Sequence, residues 1–283
     1  MHNITLKVTG LCCLLLCASV KAIVTRHDVH PSLYQASGSD FPPLATFYVD
    51  GAHGTLIRER WLLTAAHATF CLKKDYPISI GSNIYKVKKT YVHRDYKPGK
   101  SHDIALIELT QNVEGITPAS LYTAEDELSK KTWFIGIGGT GSGLLGQTVS
   151  NRQNNGVLRK AENTIIQANG PLLKFRFNSG DLALPLEGVS GSGDSGGPAY
   201  IQSAKGYKIL GISSRIEGTH FVIGEYGVTE IYTRVSFFGD WINKIIEGDV
   251  LSRNVISLSQ LKSLPSGLTE LNLGTVCNDI KIN

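Results

Sequence analysis

Ser195 stands in the string GSGDSGGPAY, residues 191–200, with glycines on both sides and Pro198 closing off any helix. Glycines let a main chain approach a bound group closely. The N–H groups of Gly193 and Ser195, two residues apart, can converge on one point as an oxyanion hole requires. A serine hydroxyl is a weak nucleophile until a base takes its proton. His67, in TAAHAT (residues 64–69), follows the apolar run Trp61–Leu63 and has small neighbours that leave its imidazole reachable. Alone, such a histidine reads as structural. Asp103 heads DIALIEL, residues 103–109. A carboxylate at the head of a core strand is costly unless hydrogen bonds or a charge partner compensate it, and the plainer reading is a strand-start residue bonded to local N–H groups. Glu108, further along, reads as an outward-facing partner. Together these residues supply a nucleophile, a base, a group to orient the base and donors for an oxyanion, which is the equipment of acyl transfer.

The blocks TAAH, DIAL and GDSGGP, in that order and with steps of 36 and 92 residues between His67, Asp103 and Ser195, resemble the three motif blocks of the trypsin-like (chymotrypsin-fold) serine proteases. The resemblance spans about residues 23–247. It implies an all-β fold of two antiparallel six-stranded β-barrels with the active site between them, a C-terminal helix, and here an extra C-terminal tail. It implies an endopeptidase, which the N-terminal residues read below make a secreted one, that works through an acyl-enzyme, with Ser195 attacking, His67 moving the proton, Asp103 fixing the imidazole tautomer, and the Gly193 and Ser195 N–H groups holding the oxyanion. Ser214 matches the serine that supports the aspartate. Arg215 and Ile216 replace the usual Trp-Gly of the substrate cleft. Val189 takes the position at the pocket base that is acidic in trypsin, and Glu230 the position where glycine keeps the pocket open, so a basic or a small P1 residue is expected. The resemblance also implies that a new N-terminus at Ile23 pairs with Asp194. The family's cysteines beside the histidine and around the nucleophile are absent, with Ala68, Ala52, Gly191 and Gly218 in their places.

The elements that must hold these residues are short. Ala45–Val49, Thr55–Ile57, Ile84–Val87, Ile104–Leu109, Trp133–Ile137 and Lys208–Ile212 are apolar, β-branched or aromatic segments separated by Gly, Pro, Asn, Asp and Ser, which predicts a barrel or sandwich. Helical periodicity occurs at Ser236–Ile246, where Phe237, Phe238, Trp241, Ile242, Ile245 and Ile246 recur at three- and four-residue steps. The polar stretch between Leu109 and Thr132 is the expected connection, giving an N-terminal barrel over 23–118 and a C-terminal barrel with helix over 119–247. Residues 248–283 are leucine-rich and resemble one leucine-rich repeat. A single repeat cannot bury its own face, so a tail packed on the body is expected.

Residues 1–22 read as a signal peptide, with Lys7 before the apolar run Val8–Val20 and Val20-Lys21-Ala22 as the cleavage region. The run is shorter than the ~20 apolar residues a spanning helix needs. A lipidated Cys12, Cys13 or Cys17 lacks the small residues expected before it. Removing Lys7 and Lys21 takes the formal charge from +4 to +2, and no run of like charges marks a nucleic-acid or membrane surface. A monomer acting on polypeptide substrates is expected, without cofactor and without metal, since no clustered spacing of His, Cys or acids stands out. Cys71 and Cys277, the two cysteines beyond the signal, either pair or stay as thiols.

Three other readings meet the same residues. Gly193–Gly197 fits the G-x-S-x-G of α/β-hydrolases, but that fold runs Ser, acid, His and needs a helix after the serine. Gly136–Gly141 fits G-x-G-x-x-G but is not followed by a helix. The third reading is a catalytically inactive, protease-like binding protein, with the altered Arg215-Ile216 cleft or the tail disabling the site.

Overall fold

The structure, a computed structural model, describes residues 23–49, 51–217, 222–249 and 277–278. The signal peptide expected over 1–22 and nearly all of the 248–283 extension lie outside the described residues.

Two closed β-barrels carry the chain. Following the hydrogen bonds, the first runs Leu44–Tyr48, Gly51–Arg58, Trp61–Thr64, Ala105–Leu109, Asn83–Val92 and Pro77–Ile80, which pairs back with Leu44–Tyr48. The second runs Pro198–Ser203, Lys131–Gly136, Arg159–Asn169, Leu172–Arg176, Thr229–Arg234 and Gly206–Ile216, closed by the pairing of Gly206–Ile216 with Pro198–Ser203. These antiparallel rings exclude the parallel sheet of an α/β-hydrolase. Side chains that alternate between the two faces of a pleat explain Pro77–Ile80, where Ile78 and Ile80 are buried and their neighbours are not.

Ala105–Leu109 is buried at every position: it lies between Trp61–Thr64 and Asn83–Val92, and Leu106, Ile107 and Leu109 belong to one core cluster. Glu108 is therefore corrected from an outward-facing residue to a buried one. Lys88 Nζ donates to its Oε1 at 2.7 Å and the Tyr91 hydroxyl to its Oε2 at 3.1 Å, which satisfies a carboxylate only 6% exposed.

Residues 110–130 pass from one barrel to the other. The N–H of Ala119 donates to the Leu56 carbonyl at 2.9 Å, and that of Tyr122 to the Ile209 carbonyl at 2.9 Å, so the crossing is bonded to both. The expected helix resolves into a 3-10 turn, Ser236–Phe238, followed by an α-helix, Gly239–Glu247. Its buried Ile242 and Ile245 join a core cluster shared with Trp61, Tyr91 and Ile104 of the first barrel. Cys71 and Cys277 form a disulfide with a Cα–Cα distance of 5.2 Å, joining a segment just past His67 to residue 277. No helix among the described residues is long and apolar enough to cross a membrane.

Candidate active site

The Ser195 loop is clamped from the first barrel. On the strand Gly51–Arg58, the Ala52 N–H donates to the Gly193 carbonyl at 2.6 Å and the His53 N–H to the Ser195 carbonyl at 2.8 Å. Two glycines make the clamp sterically possible. Gly193 has φ +96°, a left-handed conformation that L side chains rarely adopt. Gly196, at φ +76°, would place a Cβ 2.2 Å from Thr64 Oγ1 and 2.4 Å from the His53 carbonyl.

The same anchors aim two donors. The Ser192 carbonyl accepts the Gly139 N–H at 2.7 Å, and the Asp194 carbonyl accepts the Gly197 N–H at 3.0 Å. Because a trans peptide points its N–H opposite its C=O, the N–H groups of Gly193 and Ser195 turn away from these anchors. Neither donates to any group among the described residues.

His67 lies in a 3-10 turn, Ala66–Ala68, directly after the strand Trp61–Thr64. Its Nδ1–H donates to Asp103 Oδ2 at 2.7 Å, and its backbone N–H to Asp103 Oδ1 at 3.0 Å. Ser214 Oγ donates to the same Oδ2 at 2.6 Å, and Thr233 Oγ1 to the Asp103 carbonyl at 2.8 Å. Burial would lower the His67 pKa, but the charge and hydrogen bond of Asp103 outweigh it and raise the imidazole above 6.5. Burial would likewise raise Asp103, yet the His67 charge and the donors from His67 and Ser214 hold its carboxyl below the usual range.

His67 and Ser195 line one cleft of about 260 Å³ with Ser190, Arg215, Ile216 and Glu230. No hydrogen bond joins Ser195 Oγ to His67 in this geometry, a contact that substrate-free sites often hold loosely. Of the residues the family resemblance picked out for the substrate pocket, Ser214, Arg215, Ile216 and Glu230 reach the cleft and Val189 does not. Val189 pairs with Val24 and is fully buried in a core cluster with Val24, Phe177 and Val228. Its neighbour Ser190 takes the cleft side instead. Glu230 accepts the Ser190 N–H on both oxygens, at 3.0 and 3.1 Å, and Ser190 Oγ bonds the Tyr232 hydroxyl at 2.6 Å. Burial pushes the Glu230 carboxyl up to about 8, with the Asp194 charge adding to the rise. Arg215 turns sideways: its Nη2 donates to the Lys100 carbonyl at 2.7 Å and its Nη1 to Ser214 Oγ at 3.4 Å.

Beneath the nucleophile, Asp194 accepts N–H bonds from Gly138 at 2.7 Å and Gly191 at 2.8 Å. These do not offset burial, which raises the carboxyl to about 7. Gly138 and Gly139 spend their N–H groups on Asp194 and Ser192, so the G-x-G-x-x-G string cradles no phosphate. His53, passed over in the sequence, is fully buried with Nε2 3.9 Å from Asp194 Oδ1. Its Nε2 accepts the Ile137 N–H at 3.2 Å, which leaves the proton on Nδ1, 3.2 Å from Thr46 Oγ1. Burial lowers its pKa to about 4, so His53 is neutral and the contact is not an ion pair. Ile23 is fully buried, paired with Thr140, whose Oγ1 donates to the Ile23 carbonyl at 2.6 Å.

The family profile described as Trypsin matches residues 32–242. The chain belongs to the trypsin family. Accordingly the protein is a trypsin-like serine endopeptidase. Within the family it is 29% identical over 215 residues to a trypsin of Phaedon cochleariae, covering 69% of this chain and 78% of that protein. It is 27% identical over 226 residues to serine protease SSP1 of Scolopendra subspinipes, covering 71% and 76%. To transmembrane protease serine 11B of Homo sapiens it is 28% identical over 240 residues, 78% of this chain but 56% of that protein.

Proposed function

We propose that this endopeptidase is secreted, that residues 1–22 are its signal peptide, and that it cleaves peptide bonds through an acyl-enzyme on Ser195, with His67 as general base and Asp103 holding the base. The observation that carries the reading is the double engagement of Asp103 Oδ2 by His67 Nδ1–H and Ser214 Oγ–H beside a cleft that also exposes Ser195. Such a carboxylate fixes the imidazole with its Nε2 free for the serine proton. The Gly193 and Ser195 N–H groups then receive the oxyanion.

The inactive-scaffold reading loses its main support, because Arg215 lies along Lys100 and leaves Ser214 on Asp103. The N-terminal barrel over 23–118, the C-terminal barrel over 119–247 and the extension over 248–283 form one peptidase chain in this reading, acting as a monomer. For P1 we propose a basic side chain, received by Glu230 at the inner wall of the cleft. Cleavage after Ala22 frees the Ile23 amine, and that ammonium is the cation Asp194 needs.

A fluorophosphonate probe tests the nucleophile. The secreted chain should be labelled once, at Ser195, and both Ser195→Ala and His67→Ala should abolish labelling. Full labelling of Ser195→Ala would refute the assignment.

A further inference from the structure

The loop between the strand Asn83–Val92 and Asp103 gathers three groups that a linear reading for metal spacing misses. One ring nitrogen each of His93 and His102 and one carboxylate oxygen of Asp95 lie within 4.8 Å of one another. We propose that His93, Asp95 and His102 bind one divalent transition-metal ion of the zinc class.

Two imidazoles and a carboxylate are a donor set for zinc, copper or nickel rather than for calcium or magnesium, which take oxygen. A tetrahedral zinc ion with ligands at ~2.1 Å sets neighbouring donor atoms ~3.4 Å apart, so the loop closes by about an ångström and a water takes the fourth place. The frame for this closure is fixed at its base, where the His93 N–H donates to the Ile104 carbonyl at 3.1 Å. Both rings are steered by the segment leading into the C-terminal helix. Phe238 packs edge-on to each ring at 5.3 Å, and Trp241 lies 5.0 Å from His93.

Ser101 Oγ sits 3.0 Å from His102 Nδ1, the kind of partner that holds one ring nitrogen while the other takes a metal. The His93 Nδ1 accepts the Asp95 N–H at 3.1 Å. Metal binding gives up that bond, and the N–H of this exposed residue passes to water. Arg94 Nε, 3.9 Å from Asp95 Oδ1, must also release the carboxylate, but both side chains are exposed and such pairs are weak.

His102 has φ +57° and directly precedes Asp103, so an ion that draws His102 inward pulls on the orienting carboxylate and slows turnover. That consequence rests on the proposed triad; the binding does not.

Calorimetric titration of the intact, disulfide-bonded chain with zinc chloride tests the site. One ion per chain is expected, with His93→Gln and Asp95→Asn each weakening it by about tenfold or more while circular dichroism stays unchanged. Equal affinity in the wild type and both variants would overturn the site. In turnover assays zinc should slow the wild type more than His93→Gln, and equal inhibition of the two would overturn the link to Asp103.

Discussion

Ser214 Oγ donates to Asp103 Oδ2 over 2.6 Å, and that oxygen also accepts the hydrogen bond from His67 Nδ1–H. Ser214 comes from the second barrel and His67 from the first, so the orienting carboxylate is held from both. A hydrogen bond to a charged group contributes about 1.5–3 kcal/mol, and Ser214→Ala should lower kcat by about 10- to 100-fold. Asp103→Asn should cost far more, about 10⁴-fold as for the family's own triad. Steady-state kinetics on one peptide substrate check both, and a Ser214→Ala rate equal to wild type would remove Ser214 from the account.

The Asp103 contact also fixes a pH limb. Only neutral His67 can accept the serine proton, and its pKa is raised above 6.5, so kcat/KM should fall with acid through an apparent pKa above that value. For stability the sign is opposite: protonated His67 favours the folded state, fully so below 6.5, and the gain is lost as pH rises through the folded pKa. A pH–rate profile whose acid limb lies well below 6.5 would contradict the pairing.

How much of this was readable in the chain differs from residue to residue. That His67 would meet Asp103 and share a cleft with Ser195 was legible because each sits in a string whose residue types serve one chemistry, and because their order is distinctive; their catalytic roles are what the proposed function adds. Barrel order was not: Ala105–Leu109 closes against Trp61–Thr64, and such non-local pairings leave no local pattern. Val189 was misplaced because a correct motif position does not reveal which way a side chain turns. Glu108 looked exposed by its charge alone, whereas Lys88 and Tyr91 make its burial tolerable. Pairing of Cys71 with Cys277 required geometry, as did the meeting of His93 and Asp95 with His102.

Glu230 sets a second pH dependence. Its carboxyl is held up to about 8, so it is largely neutral at pH 6 and ionised at pH 9, and preference for P1 Arg over P1 Ala should grow by about tenfold or more across that range. Glu230→Gln should remove this growth and lower kcat/KM for P1 Arg by about 100-fold. A preference that does not change with pH in the wild type would dismiss Glu230 as the P1 partner.

Asp194 predicts how the N-terminus matters. In a chain that still carries Ala22 its pKa is raised from 3.8 to about 7. The folded state then keeps a proton that the unfolded state loses, and stability falls as pH rises from 3.8 to about 7. In the proposed activation a free Ile23 ammonium reverses this by pairing with the ionised carboxyl. At pH 8 the chain beginning at Ile23 should melt several degrees above the chain beginning at Ala22, with a smaller gap at pH 5, and should be the more active. Equal melting and equal rates at pH 8 would exclude the pairing.

The most direct test of the central claim is hydrolysis of a peptide library by the chain beginning at Ile23, run beside its Ser195→Ala variant and read by mass spectrometry. The account predicts cleavage after basic residues by the wild type and a loss of at least about 10³-fold in the variant. Cleavage at the same sites and rate by Ser195→Ala would contradict it.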